Sequence, residues 1–532
     1  MIRFLVAAVL WFSSVHQLIA AAPTITSCFP AGVQKGTSQL IQVTGSWTKW
    51  PVNVDTEFPE GITVTTKEDD GVLEIVVSET VPAGPYYFRI YDSEGASNLV
   101  PIFVGSAPEI KEEEPNAKPG EWKTMDLPTV LNGQLKESGD VDIVGVKLAA
   151  GETVSAMVVA NNVLGSPMDG IVQIADARGF VVAQNDDERN LDPQVSFTAT
   201  RDGIYQIRLF AFPTTPNSTI GFSAAATYVY RMILTKHKFL DYCLPLSLSS
   251  NLAAIRPMGL GFNGESLDAA VAINGHLAIP GVPGSIAIPM FKGTVLTVPK
   301  PAKDAPMVEA TIPVSLSGVL GEKDEKHVVQ LNDLKKDMPL SVKVFARRIG
   351  FPTDPYVQIA DANGVVLFTL DDKSRTERDP EFSYKIPEDG NYQLLIRDLH
   401  REGGARFAYR VDVELDSPKI SMSLDRGELL KTKEDLLIPL TVVRTAGFNK
   451  EMEVSLKGLP EGLSANVVKS EASGDSSKKV QLVLKGDPQG FSGPVTIVGS
   501  YEDGSIEAHY LIKNSTLTRN RFWLTILPAK EE

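Results

Sequence analysis

The sequence predicts an all-β chain of tandem antiparallel β-sandwich domains, jelly-roll-like in the duplicated part and immunoglobulin-like at the end. Three observations predict it: a long internal repeat, strand-period alternation in both copies, and no convincing helical stripe in either. Residues 172–177 read Val-Gln-Ile-Ala-Asp-Ala, and residues 357–362 read the same, at a spacing of 185. The spacing holds upstream. Leu131, Gly133 and Leu135 recur as Leu316, Gly318 and Leu320, and Gly165, Pro167 and Asp169 recur as Gly350, Pro352 and Asp354. Two extra residues before Asp379-Pro380, the counterpart of Asp192-Pro193, move the spacing to 187. Asp202-Gly203-Ile204-Tyr205-Gln206 then matches Asp389-Gly390-Asn391-Tyr392-Gln393. A register kept over so many positions marks a duplicated domain of roughly 100 residues, an ordinary size for one folding unit.

Within each copy the elements follow from the pattern. Val172, Ile174 and Ala175 read as a strand entering a tight turn at Asp176-Ala177-Arg178-Gly179, with residues 180–183 as the returning strand. The second copy turns at Asp361-Ala362-Asn363-Gly364, where Asn-Gly supplies left-handed backbone at little steric cost. Residues 203–209 and 391–397 alternate as further strands. Gly203 and Gly390 feed those strands, Tyr205 and Tyr392 pack in the sandwich, and Asp192-Pro193 reads as a turn pair.

The remaining segments follow the same β vocabulary. At 532 residues the chain has room for three to five domains. Residues 1–22, with Arg3, an apolar run and Ala20-Ala21-Ala22, have the form of a secretory signal peptide, which places the mature chain outside the cytoplasm. No later stretch is apolar enough for a helical membrane span. Residues 23–106 alternate as strands near 39–45, 73–77 and 86–91. Residues 109–120 read as a charged linker opening the first copy, 107–236. Residues 237–304 form a small β-domain or connection, 305–415 the second copy, and 416–532 long alternating strands with a turn at Leu459-Pro460-Glu461-Gly462-Leu463.

Several function classes lose support. The net charge is −15 with no long Lys/Arg cluster, which argues against nucleic-acid partners. Cys28 and Cys243 are the two cysteines, so there is no disulfide scaffold; they either pair or stay as two buried thiols. Asn217-Ser218-Thr219 and Asn514-Ser515-Thr516 match glycosylation acceptors, meaningful only in a eukaryotic secretory pathway. No His-Glu-x-x-His, Gly-x-Ser-x-Gly, phosphate-binding loop or cysteine cluster occurs, and the expectation is a chain that is not an enzyme.

The duplicated unit resembles the bacterial pre-peptidase C-terminal domain. The residues carrying the likeness in the first copy are Glu112-x-Glu114-Pro115-Asn116, Leu131-x-Gly133-x-Leu135, Gly139-Asp140-Val141-Asp142, Asn185-Asp186-Asp187, Asp192-Pro193 and Asp202-Gly203-Ile204-Tyr205. The second copy keeps the Leu-x-Gly-x-Leu, Asp371-Asp372, Asp379-Pro380 and Asp389-Gly390-Asn391-Tyr392 elements. Together the copies cover under half of the chain. Residues 23–106 resemble an IPT/TIG-type domain through the opening Pro-Thr-Ile-Thr-Ser-Cys-Phe-Pro-Ala-Gly.

The resemblance implies a jelly-roll-like sandwich and a calcium (Ca2+) site in the first copy only. Glu112, Glu114 and Asn116 match the acidic linker of related collagen-binding domains, and Asp140 and Asp142 match the ligand loop. Calcium needs six to eight oxygen ligands, several of them carboxylates from adaptable loops. Ala117 stands where family members often carry a further Asp, and at spacing 185 Asp140 and Asp142 become Glu325 and His327. The other reading of residues 109–114 is a solvated charged spacer. Asp186-Asp187 and Asp371-Asp372 are a second acidic pair.

The functional expectation is a non-catalytic exported protein, its sandwiches in a row for reach, that binds extracellular protein or polysaccharide. The alternative is an accessory subunit that escorts or regulates a separately encoded secreted peptidase or other hydrolase.

Overall fold

The computed structural model describes residues 21–527, apart from 58–59, 119–120, 216–220, 251–253, 269–271, 274–275, 280, 303–305, 433, 487–489 and 513–516. Residues 1–20 of the signal-peptide segment and both glycosylation motifs lie outside the described residues. The regular elements are nearly all strands.

Residues 24–105 form a sandwich of two sheets around Ile41, Val43, Leu73, Ile75, Phe88 and Ile90. Its long strands Ser38–Ser46 and Val72–Val77 alternate in burial as period-2 patterning requires, whereas Gly84–Asp92 is buried on both faces over Tyr87, Phe88, Arg89 and Ile90. Each copy of the repeat is a pair of five-stranded sheets with the same strand order. In the first, Glu109–Lys111, Thr129–Gln134, Val229–Thr235, Thr153–Val159 and Gln194–Thr198 face Thr124–Met125, Asp142–Leu148, Gly203–Pro213, Met168–Ala175 and Val181–Asn185. In the second, Thr294–Thr297, Val314–Val319, Ala408–Leu415, Pro339–Phe345 and Glu381–Lys385 face Val308–Ala310, Lys326–Leu334, Gly390–Asp398, Pro355–Asp361 and Val366–Leu370.

Four expectations change. Residues 109–120 do not simply link: Glu109–Lys111 is an edge strand paired in parallel with Thr129–Gln134. The second copy begins before 305, because Thr294–Thr297 pairs in parallel with Val314–Val319. Each sheet of both copies thus carries one parallel edge strand on an otherwise antiparallel frame. A single turn of helix, Asn161–Leu164, interrupts the first copy, and a 3-10 turn, Arg347–Ile349, stands at the same place in the second.

Those turns explain Asp192-Pro193 better than a turn pair does. The Asp192 carboxylate accepts the backbone N–H groups of Ala160, Asn161 and Asn162, and Asp379 accepts those of Ala346, Arg347 and Arg348. Both carboxylates cap a helical turn from across the sheet. Tyr205 and Tyr392 send their hydroxyls back to the carbonyls of Arg201 and Glu388, pinning the turn that feeds each strand.

Residues 239–288 form two three-stranded sheets over Leu240, Cys243, Leu248, Ile255 and Leu277. This unit packs on the second copy through Tyr242, Leu244 and Leu246 against Phe351 and Ala408. From Lys419 onward, two sheets with core strands Leu436–Thr445, Met452–Lys457, Lys479–Lys485 and Ser492–Tyr501 form the last sandwich. Cys28 and Cys243 are separate buried thiols, and burial pushes each up to about 12.

The sandwiches do not run in a row. The last folds back onto the first, and Tyr87 and Leu99 join its core cluster. Arg521 pairs with both oxygens of Asp55 at 2.8 Å, and Arg519 grips Glu57. Arg89, 2% exposed, lies inside this interface against Tyr510, Asp55 and Glu428. Apolar burial plus these pairs outweighs the extended arrangement that repeated sandwiches suggest.

Candidate metal centre

The centre forms where the edge strand Glu109–Lys111 runs out beside Thr129–Gln134. Backbone pairing continues one step, Glu112 N–H to the Asn132 carbonyl at 2.9 Å, and turns the Glu112 side chain inward. There its Oε1 accepts the Gln134 N–H at 2.8 Å. Asp142, first residue of the strand Asp142–Leu148, enters from the other sheet and is 1% exposed. Glu114 approaches from the loop. One carboxylate oxygen from each of Glu112, Glu114 and Asp142 lies within 4.8 Å of the others. Among the described residues this is the group of three or more His, Cys or acidic side chains close enough to share an ion.

The supporting groups orient the trio. Tyr230 donates its hydroxyl to Asp142 Oδ2 at 2.7 Å, with Glu112 Oε2 at 3.4 Å. Asn116 does not present its oxygen to the centre. Its amide nitrogen donates to Glu114 Oε1 at 2.9 Å and Asp142 Oδ1 at 3.1 Å, while its Oδ1 accepts the Ile143 N–H. Asn116 therefore positions carboxylates. Asp140 stands at the margin, its Oδ2 accepting the Lys136 N–H at 2.9 Å, and acts on the trio through its charge.

Electrostatics shows what the trio lacks. Burial first, then the Asp142 charge, pushes Glu112 up to about 10 and Glu114 up to about 7; burial also raises Asp142. Like charges gathered in a low-dielectric corner resist ionisation unless a cation joins them. The donors are all oxygen and mostly anionic, which suits a hard ion of the calcium type over zinc or copper. The residues present therefore fit calcium: Glu112, Glu114 and Asp142 would hold it, Tyr230 and Asn116 would steady them.

Of two further contributors, Tyr230 lies outside the sequence motifs and Gly133 lies inside one that does not announce its role. Tyr230 falls after the repeat register breaks, although Tyr230-Arg231 reappears as Tyr409-Arg410. Gly133, centre of the Leu-x-Gly-x-Leu motif, is needed because any Cβ there would overlap the Tyr230 ring and hydroxyl. In the second copy the same frame is closed differently. His327 stands at Asp142's position, 0% exposed, with Nδ1 2.7 Å from the Tyr409 hydroxyl and Nε2 2.9 Å from Glu325. Val298, whose N–H bonds the Ser317 carbonyl as Glu112's bonds Asn132, removes the second carboxylate. Asp186-Asp187 and Asp371-Asp372 gather no third ligand among the described residues; Arg378 pairs with Asp372.

No family model matches the chain, and no curated protein matches it. Among solved structures, the pre-peptidase C-terminal domain of a Bacillus anthracis collagenase is 14% identical over 23% of this chain and all of that one, with a TM-score of 0.18. A Bacteroides ovatus mixed-linkage glucan utilization protein, SGBP-B, is 11% identical over 72% of this chain and 73% of that one, at 0.14. The Aeromonas hydrophila periplasmic lysozyme inhibitor PliG is 13% identical over 23% of this chain and 98% of that one, at 0.14. At these scores none of the three carries an argument about ligand or activity. Among the described residues no helix is long and apolar enough to cross a membrane.

Proposed function

We propose that the chain is a non-catalytic, extracytoplasmic binding protein whose sandwiches hold surface or matrix polymers, protein or polysaccharide. Calcium held by Glu112, Glu114 and Asp142 stiffens the first copy where it meets the preceding sandwich. The observation that supports this reading is the gathering of three carboxylates, Glu112 and Asp142 buried and Glu114 exposed at their margin. Burial of Glu112 and Asp142, with Asp142 repelling both glutamates, disfavours their ionised forms, and a cation joining the three would offset that cost as pH rises. The leader-like N-terminal sequence supports the compartment, where calcium is abundant enough for weak extracellular sites.

The test is retention of the purified full chain on insoluble cell-wall polysaccharide and on immobilised matrix protein, in millimolar calcium and in chelator. Retention that falls on chelation is the expected result. Passage of the calcium-loaded protein through every such matrix contradicts the reading.

A further inference from the structure

A second site lies where four units meet. A cavity of about 530 Å³, well within the size of small-molecule sites, opens between the first sandwich, both copies and the unit of residues 239–288. Its walls are largely apolar, with Phe103, Met157, Val159, Ile233, Phe345 and Phe351 among them. Five arginines and one carboxylate, Asp241, also face it.

The duplication provides an internal comparison for the arginines. Arg231 and Arg410 are equivalent: Arg231 pairs across the sheet with Asn132, and Arg410 with Ser317, 185 residues on. Each lies over a phenylalanine, Arg231 over Phe103 at 5.0 Å and Arg410 over Phe345 at 3.8 Å. Arg231 has a full partner. Its Nε lies 3.0 and 3.1 Å from the two oxygens of Glu109, and its Nη2 also donates to Glu109. In sheet register Val295 takes Glu109's place, since Glu109 pairs with Val130 and Val295 with Ser315.

Arg410 consequently lacks that carboxylate. It is 6% exposed, and its Nε has no hydrogen-bond partner among the described residues. Asp412 Oδ1 lies 3.2 Å from Nε as an ion pair without a hydrogen bond between them, and that oxygen accepts the Ser315 hydroxyl. Nη1 reaches only the Leu246 carbonyl, at 3.4 Å. The other arginines are satisfied. Arg189 and Arg406 share Asp241, and Arg348 pairs with Asp379. A buried guanidinium with an idle donor, set over an aromatic ring beside largely apolar walls, is a recognition element for a carboxylate.

We propose that this cavity binds a small organic carboxylate with an apolar body, its carboxylate meeting Arg410 as Glu109 meets Arg231. The apolar walls accept the body, and Asp241, already neutralised by two arginines, does not repel the head group. This site is separate from the calcium centre, and its failure would leave the polymer-binding reading untouched.

The test uses the full chain and decanoate as probe, with decanol as its uncharged counterpart, by titration calorimetry. One-to-one decanoate binding is expected, with decanol weaker by about tenfold or more, the scale of one charge-assisted pair. Arg410→Gln should weaken decanoate by a similar factor. Val163→Trp, on the partly exposed helical turn at the cavity wall, should abolish binding while leaving the melting temperature nearly unchanged. No saturable decanoate binding, equal affinity for decanol, or undiminished binding by either variant would overturn the proposal.

Discussion

Glu112 and Glu114 are held where burial and the Asp142 charge disfavour their ionised forms, and the sign of the pH response follows. Glu112 and Glu114 have folded-state values raised above the ordinary 4.5, by burial first and then by Asp142. A raised carboxyl favours the folded state below its unfolded value and loses that contribution as pH rises through the folded one. Chelated protein should therefore lose stability between about pH 4.5 and about 7 as Glu114 ionises, read as a falling melting temperature. Calcium competes with the same protons, so its stabilising effect should grow over that window, with proton release visible as a buffer-dependent binding heat. His327 has the opposite sign. Burial lowers its value from 6.5, so the second copy's contribution is present above that pH and fades as pH falls through the lowered value. Hydrogen exchange resolved by copy should show the two moving in opposite directions under chelator.

At the scale of elements, the strand pair Glu109–Lys111 and Thr129–Gln134 sets the centre, because parallel pairing delivers Glu112 beside Gly133. Gly133→Ala forces a methyl into the Tyr230 hydroxyl and ring. We expect a loss of about 1–3 kcal/mol in unfolding free energy and weakened calcium binding, measured by denaturant melts with and without the ion. The strands and hairpins were legible in the sequence, since alternation and Asp-x-x-Gly turns are local signals; Asp176 and Asp361 cap those turns with their own carboxylates. Glu112, Glu114 and Asp142 were legible only as a motif. Their closeness depends on two sheets meeting, and so does the role of Tyr230. The edge strand Glu109–Lys111 was hidden because three charged-flanked residues look like a spacer until Arg231 is seen to hold Glu109.

Across the whole molecule, contacts between units had no sequence signature. Nothing in the repeat announces that Arg521 meets Asp55, or that Arg89 will be sealed between the first and last sandwiches. Asp55→Ala leaves both arginines short of a partner at this interface. It should destabilise the closed arrangement by on the order of 3 kcal/mol and increase the radius of gyration by small-angle scattering; an unchanged radius and melting profile would show that closure does not depend on this pair. The claim on which the functional reading rests is the calcium centre, and melting the full chain against calcium tests it most directly. A concentration-dependent rise is expected, worth about 2.7 kcal/mol at 100 times the dissociation constant, that Asp142→Asn abolishes. A melting curve indifferent to calcium at millimolar concentration, or an Asp142→Asn protein that responds like the parent, would contradict it.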